Sequence, residues 1–174
     1  MKTVYLLRHA KSGSDDPALK DHDRTLNERG REAAPKVGAY IKLKLYRPDT
    51  ILCSTALRTI ETFDLIKEAL GGRSNVKFEE TLYLAELRHL IERLRWLDDG
   101  LKSAMIIGHN PGLEELAKSL PRTPANAAEE KLHKRMREKF STCALAVIKL
   151  PAKAWREVKP GTGTLFDFVL PKDL

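Results

Sequence analysis

Three short apolar runs, Thr3–Leu7, Thr50–Cys53 and Ser103–Ile107, each give way to a polar segment and then to apolar residues at helical spacing. Runs this short and this continuous suit strands covered on both faces. Strands that alternate with amphipathic helices pair mostly in parallel, because a parallel neighbour can be reached only by a crossover, which a helix usually supplies. The expectation is a three-layer α/β/α sandwich with a mostly parallel central sheet. At 174 residues the chain suffices for one such domain, spanning 1–174, and is short for two cores.

The remaining punctuation fills in this plan. Thr25 and Glu28 form a capping-box pattern, Gly30 can interrupt the helix that follows, and Pro35 suits the start of a second helical segment continued by Val37, Tyr40 and Ile41. Ser54 or Thr55 is placed to cap a helix carrying Ile60, Phe63, Ile66 and Leu70, which Gly71-Gly72 ends. Val76–Phe78 reads as a weaker strand, and Leu87, Leu90, Ile91, Leu94 and Leu97 form a helical stripe. A helix with Leu113, Leu116 and Leu120 follows Gly108-His109-Asn110-Pro111-Gly112. A further helix over 129–139 and strands over 143–150 and 165–170 complete the reading.

Open sheets of this kind bind ligands in the crevice beyond the carboxyl ends of their strands. Arg8, His9, Ser54, Arg58 and His109 all fall at or just past those ends. Two histidines and two arginines suit a metal poorly, since guanidinium groups repel cations and no carboxylate joins them at ligand spacing. They suit a phosphoryl group well. Arginine offers bidentate contacts to phosphate, and an imidazole among positive charges is held neutral, with a lone pair free to attack. Taken singly, each has a plainer reading. Arg8 could be an ordinary strand-end charge and His9 a core histidine. His109 could bond to backbone, Arg58 could pair with Glu61 at i,i+3, and Ser54 could be a helix cap.

The formal net charge of +7 raises the question of nucleic acid, but no stretch interleaves clustered Lys and Arg with aromatics as a strand-binding surface would. The charge fits an anionic substrate or acidic partner as well. The composition, 42% apolar and 32% charged, is that of a soluble globular chain. No stretch reads as a signal peptide or a membrane span, so the expected location is the cytoplasm, with no membrane partner. Cys53 and Cys143 lie in runs read as buried strands and are expected to be reduced thiols.

Leu7-Arg8-His9-Ala10-Lys11-Ser12 resembles the Arg-His signature of the histidine phosphatase (phosphoglycerate mutase-like) superfamily. Ala10 stands where that signature usually has Gly, as in SixA-type phosphohistidine phosphatases and their relatives. The resemblance extends through Arg24-Thr25-Leu26-Asn27-Glu28-Arg29-Gly30, Ser54-Thr55-Ala56-Leu57-Arg58-Thr59-Ile60-Glu61-Thr62, Gly108-His109-Asn110-Pro111 and Pro160-Gly161-Thr162-Gly163-Thr164-Leu165, which together span nearly the whole chain. It implies a phosphoglycerate mutase-like fold and a phosphatase that needs no metal or other cofactor. His9 would be transiently phosphorylated, Arg8 and Arg58 would hold the phosphoryl oxygens, and His109 would donate to them in the transition state. Arg24 matches a position that can approach the same anion.

Members that cleave phosphate esters usually carry an acid to protonate the leaving alkoxide. Glu86 is the nearest candidate here, and it could equally be a first-turn helix carboxylate. A weak or absent acid favours phosphohistidine on a signalling or phosphotransfer protein, whose imidazole departs more readily. The alternatives are a phosphatase of small phosphate esters and, in another class, a non-catalytic phosphoprotein or nucleic-acid binding module, for which an intact nucleophile would be superfluous. Phosphoglycerate mutase activity ranks below these, because the chain lacks the longer insertions that cover a sugar-acid substrate. The run Lys131–Lys139 is either a solvated helix face or a docking surface for an acidic partner protein. His22, His89 and His133 read as surface histidines.

Overall fold

The computed structural model describes residues 1–13, 16–72 and 74–174. Strands β1 (Lys2–Arg8), β2 (Thr50–Ser54), β3 (Asn75–Glu79), β4 (Ser103–Gly108), β5 (Leu145–Leu150) and β6 (Thr164–Val169) form one sheet in the order β3-β2-β4-β1-β5-β6. The pairs β1 with β4, β2 with β3 and β2 with β4 are parallel, and those of β5 with β1 and β6 are antiparallel. Only β5 therefore runs against the other strands, and the carboxyl ends of β1, β2 and β4 open on one edge.

The helices are α1 (Glu28–Leu43), α2 (Leu57–Ile66), α3 (Leu87–Arg95), α4 (Gly112–Ser119) and α5 (Ala127–Glu138). Two apolar cores separate along the pleat of β1, whose successive side chains point to opposite faces. Val4 and Leu6 pack with Leu90, Leu94, Leu113, Leu116 and Met136 under α3, α4 and α5, whereas Tyr5 and Leu7 pack with Val37, Ile41, Phe63 and Ile66 under α1 and α2. This is the expected three-layer sandwich, and it explains why the central runs are apolar at nearly every position.

Several local expectations are corrected. Helix α1 is continuous through Gly30 and Pro35, and its cap is Asn27, whose side chain accepts from the Gly30 amide at 2.9 Å. Gly30 is a site of close approach rather than a break, since a Cβ there would lie 2.1 Å from the Lys11 carbonyl oxygen. The burial of Ala34, Val37 and Ile41 overrides the local cost of the proline. Cys143 precedes β5 in a turn with φ 62°, and its amide donates to the Arg8 and His9 carbonyls at 3.1 and 2.9 Å. Both cysteines are buried and free, and burial pushes each thiol up to about 12. Among the described residues, no helix is long and apolar enough to cross a membrane.

Candidate active site

The end of β1 is pinned between its neighbours, with the Arg8 amide donating to the Ala144 carbonyl and the His9 amide to the Gly108 carbonyl, both at 3.1 Å. This places Arg8 and His9 at the mouth of the sheet, opposite His109, which follows β4. The two imidazole rings lie 5.3 Å apart, tilted by 52°. Arg58 comes in from the first turn of α2, and Arg24 from the loop before α1. These five residues line one cavity of about 430 Å³ together with Lys11, Ser12, Asp21, Leu84, Asn110 and Thr142. Among the described lining residues four are cationic and one, Asp21, is acidic.

His9 is 7% exposed, and its Nδ1 lies 2.7 Å from the Ala10 carbonyl oxygen. A carbonyl only accepts, so Nδ1 carries the hydrogen and the lone pair of the neutral ring is on Nε2. Burial foremost, and then the charges of Arg58, Arg8 and Arg24, lower its pKa to about 4, against the pull of the Ala10 carbonyl. The ring is therefore neutral at pH 7. His109 is 3% exposed, and burial first, then His9 and Arg58, lower it to about 3. Its Nε2 lies 2.8 Å from Ser54 Oγ, and that oxygen accepts from the Ala56 amide at 3.3 Å. Ser54 thus supports His109 rather than simply capping α2, whose first turn is preceded by Ala56.

The Arg58 guanidinium, 2% exposed, donates through Nη1 to the Asp21 carbonyl at 2.7 Å and through Nη2 to the Asp21 carboxylate at 3.0 Å. Its expected alternative partner, Glu61, instead accepts from the Leu26 amide at 2.9 Å. Asp21 also accepts from Arg24 Nε at 3.0 Å and from the Tyr83 hydroxyl. The Tyr83 bond above all, with Arg58 and Arg24, holds its carboxyl at about 2. Tyr83 stacks edge-on against His109 and His22, with centroids 5.4 and 4.7 Å away. His22 is half-buried, shares a hydrogen bond of 2.9 Å with Thr55 and packs on Tyr83, so it is no free surface histidine.

Arg8 donates from Nη1 to the Phe140 carbonyl at 3.1 Å, a carbonyl that also accepts from Asn110 at 3.3 Å. Among the described residues, three buried side-chain nitrogens have no partner, Arg8 Nε, Arg58 Nε and His109 Nδ1. Unsatisfied buried donors cost roughly 1–3 kcal/mol each, so their concentration in the residues of one pocket is a mark of function. Glu86 is exposed at the N-terminal cap of α3 and is not among the residues lining the cavity. The described residues contain no group of three or more His, Cys, Asp or Glu placed to hold a metal.

Asp21, Tyr83, Ser54 and Asn110 are the neighbours that sequence reasoning missed or undervalued. Asp21 had a weak signal, since it lies three residues before Arg24, where one matched segment begins. Tyr83 had none, because its partners lie far away in the chain.

A six-stranded, mostly parallel α/β fold of the phosphoglycerate mutase type, with a histidine pair and clustered arginines at its strand ends, defines a class built to handle phosphoryl groups. The profile of the histidine phosphatase superfamily (branch 1) matches residues 4–90, and the chain belongs to that superfamily. It is 34% identical over 169 residues to an uncharacterized protein of Mycobacterium tuberculosis, covering 95% of this chain and all of that one. The structure of a candidate phosphohistidine phosphatase SixA from Agrobacterium tumefaciens superposes with a TM-score of 0.79 at 30% identity, covering 98% of both chains. A second candidate SixA, from Nakamurella multipartita, gives 0.80 at 25% identity over 98% of this chain and 96% of that one.

Proposed function

We propose that the protein is a metal-independent phosphatase that acts through phospho-His9 and removes phosphate from phosphohistidine on a signalling or phosphotransfer protein. His9 Nε2 attacks the phosphorus, and the bond from phosphorus to the substrate nitrogen breaks with its electron pair going to that nitrogen. The intermediate is phosphorylated on Nε2 and protonated on Nδ1, and the Ala10 carbonyl at 2.7 Å stabilises the resulting cation. Water then attacks phosphorus and releases inorganic phosphate. Because Nδ1 keeps its hydrogen, His9 leaves as neutral imidazole and the starting tautomer is restored. Arg8 and Arg58 clamp the phosphoryl oxygens, with Arg24 beside them. If the Ser54 hydroxyl donates to His109 Nε2, the proton of that ring sits on Nδ1, the nitrogen without a partner, which serves as a donor to the developing charge.

The observation that carries the choice of substrate is the state of the one carboxylate among the described lining residues. Asp21 is bonded by Arg58, Arg24 and Tyr83 and is ionised at any working pH, so it has no proton to give a leaving group. Glu86 lies outside the lining. An alkoxide needs that proton, whereas a phosphohistidine protonated on its other ring nitrogen leaves as neutral imidazole without help. The test compares the purified protein on a phosphohistidine peptide, a phosphoserine peptide and small phosphate esters, with chelator present throughout. Turnover of the phosphohistidine peptide at least ~100-fold more efficient than that of the esters is expected. Preference for an ester would assign the protein to small-molecule phosphatases, and rescue by added divalent metal would contradict the arginine clamp.

A further inference from the structure

A second cavity, of about 280 Å³, adjoins the catalytic one and shares Lys11 and Thr142 with it. Among the described residues its charged lining is cationic, comprising Lys11, Arg29, Lys139 and Lys172. These four side chains come from the segment after β1, the first turn of α1, the end of α5 and the C-terminal turn, so the fold and not a local run assembles them. All four residues are exposed, and among the described residues none makes an ion pair. Elsewhere on α5 the pattern differs. Arg135 pairs with Asp173, and Arg137 with Glu130 at 2.8 Å, so two charges of the basic run are answered within the protein.

We propose that this groove docks an acidic segment of the phosphorylated partner, with carboxylates beside the phosphorylated residue lying against Arg29, Lys139 and Lys172 while the phosphoryl group enters the neighbouring pocket. The inference rests on the phosphoprotein reading above and adds to it the kind of sequence recognised. Three of the four cations are lysines on flexible stems, which suit mobile carboxylates of a surface segment better than a fixed bidentate anion. Among the described residues no aromatic side chain lines the groove, so they offer no stacking platform of the kind a single-stranded nucleic acid would use. The attraction acts at an exposed surface, so it speeds encounter and lowers KM, weakens with salt and leaves the chemical step alone.

The test uses the intact protein and three substrates: N-phosphoimidazole, a phosphohistidine peptide flanked by three acidic residues, and the same peptide flanked by serine and glycine. At low ionic strength the acidic peptide is expected to exceed the neutral one in kcat/KM by about tenfold, through KM, with the gap closing as salt rises to 0.5 M. Lys139→Glu and Lys172→Glu, on exposed side chains, should each erase most of that advantage and leave N-phosphoimidazole turnover within about twofold. Equal kcat/KM for the two peptides in the unaltered protein would overturn the docking proposal, as would a loss in the variants shared by all three substrates. Failure to turn over any of the three would instead overturn the phosphohistidine reading on which it rests.

Discussion

The 2.7 Å contact between His9 Nδ1 and the Ala10 carbonyl oxygen fixes which nitrogen of the nucleophile is free. It is a contact between adjacent residues, so the tautomer is set by the backbone where β1 ends rather than by any distant side chain. His9→Ala should lower turnover by at least ~10³-fold, as loss of a covalent nucleophile does. It should also abolish the acid-labile phosphoenzyme seen when labelled substrate is quenched and resolved on a gel. Vanadate binding, measured by calorimetry, should survive because Arg8 and Arg58 remain. A phosphoenzyme that persists in this variant would place the nucleophile elsewhere.

Asp21 has two roles that pull apart on substitution. Its charge opposes an anion in the pocket, while its bonds to Arg58, Arg24 and Tyr83 hold the clamp in place. Asp21→Asn keeps the shape and removes the charge, so vanadate should bind several-fold more tightly. Asp21→Ala removes the carboxylate tether as well, leaving Arg58 only its bond to the main-chain carbonyl of residue 21, and kcat should fall about tenfold or more as the guanidinium loses part of its orientation. Steady-state kinetics of both variants beside vanadate titration separate the effects. Identical behaviour of the two would mean that Asp21 orients nothing.

The parts legible in the sequence were those governed by chain direction and burial. Strands β1, β2 and β4 are short and apolar, and their shared direction brings Arg8, His9, Arg58 and His109 to one edge wherever the loops run. What stayed hidden depends on contacts through space. The bond from Arg58 to Asp21 joins residues 37 apart, and Tyr83 reaches Asp21 across 62. Gly30 and Pro35 look like breaks by local propensity, and only the packing of α1 against Lys11 and the core shows why the helix runs through them. Likewise the basic run of α5 was visible, whereas the groove that takes a single residue from it was not.

Acid should weaken the fold through the same histidines that serve the chemistry. His9 and His109 are held at about 4 and about 3, below the ordinary value near 6.5, chiefly by burial. Between those limits the unfolded chain binds protons that the folded one refuses, so stability falls as pH drops below 6.5. From pH 7.5 to 5.0 the loss should be roughly 2 kcal/mol per histidine, and less for the pair if the two titrate together. Urea unfolding at the two pH values checks this, and His9→Ala should lose less than the unaltered protein. The plateau of kcat should extend down to about pH 5, because His9 Nε2 stays unprotonated there.

The wall of the pocket is held from behind by a glycine that never touches it. Leu84 lines the cavity while half exposed, at φ 50°, and the segment carrying it and Tyr83 runs on to Ala85. The Ala85 carbonyl lies directly over Gly112 at the start of α4, so close that a Cβ there would sit 2.0 Å from its oxygen and 3.4 Å from Leu90 Cδ1. The oxygen belongs to backbone and cannot swing aside, and α4 is anchored by the buried Leu113 and Leu116. Gly112→Ala must therefore displace the segment that carries Tyr83 and Leu84. The overpacking should cost roughly 2–3 kcal/mol, a fall in Tm of about 5–10 °C for a domain of this size. Moving Tyr83 shifts the group that bonds to Asp21 and packs on His109, so kcat/KM should drop about tenfold at temperatures where the variant is still folded. Thermal unfolding beside kinetics at 15 °C tests both parts. A variant with normal Tm and normal kinetics would show that the close approach of Ala85 to Gly112 does not constrain this wall.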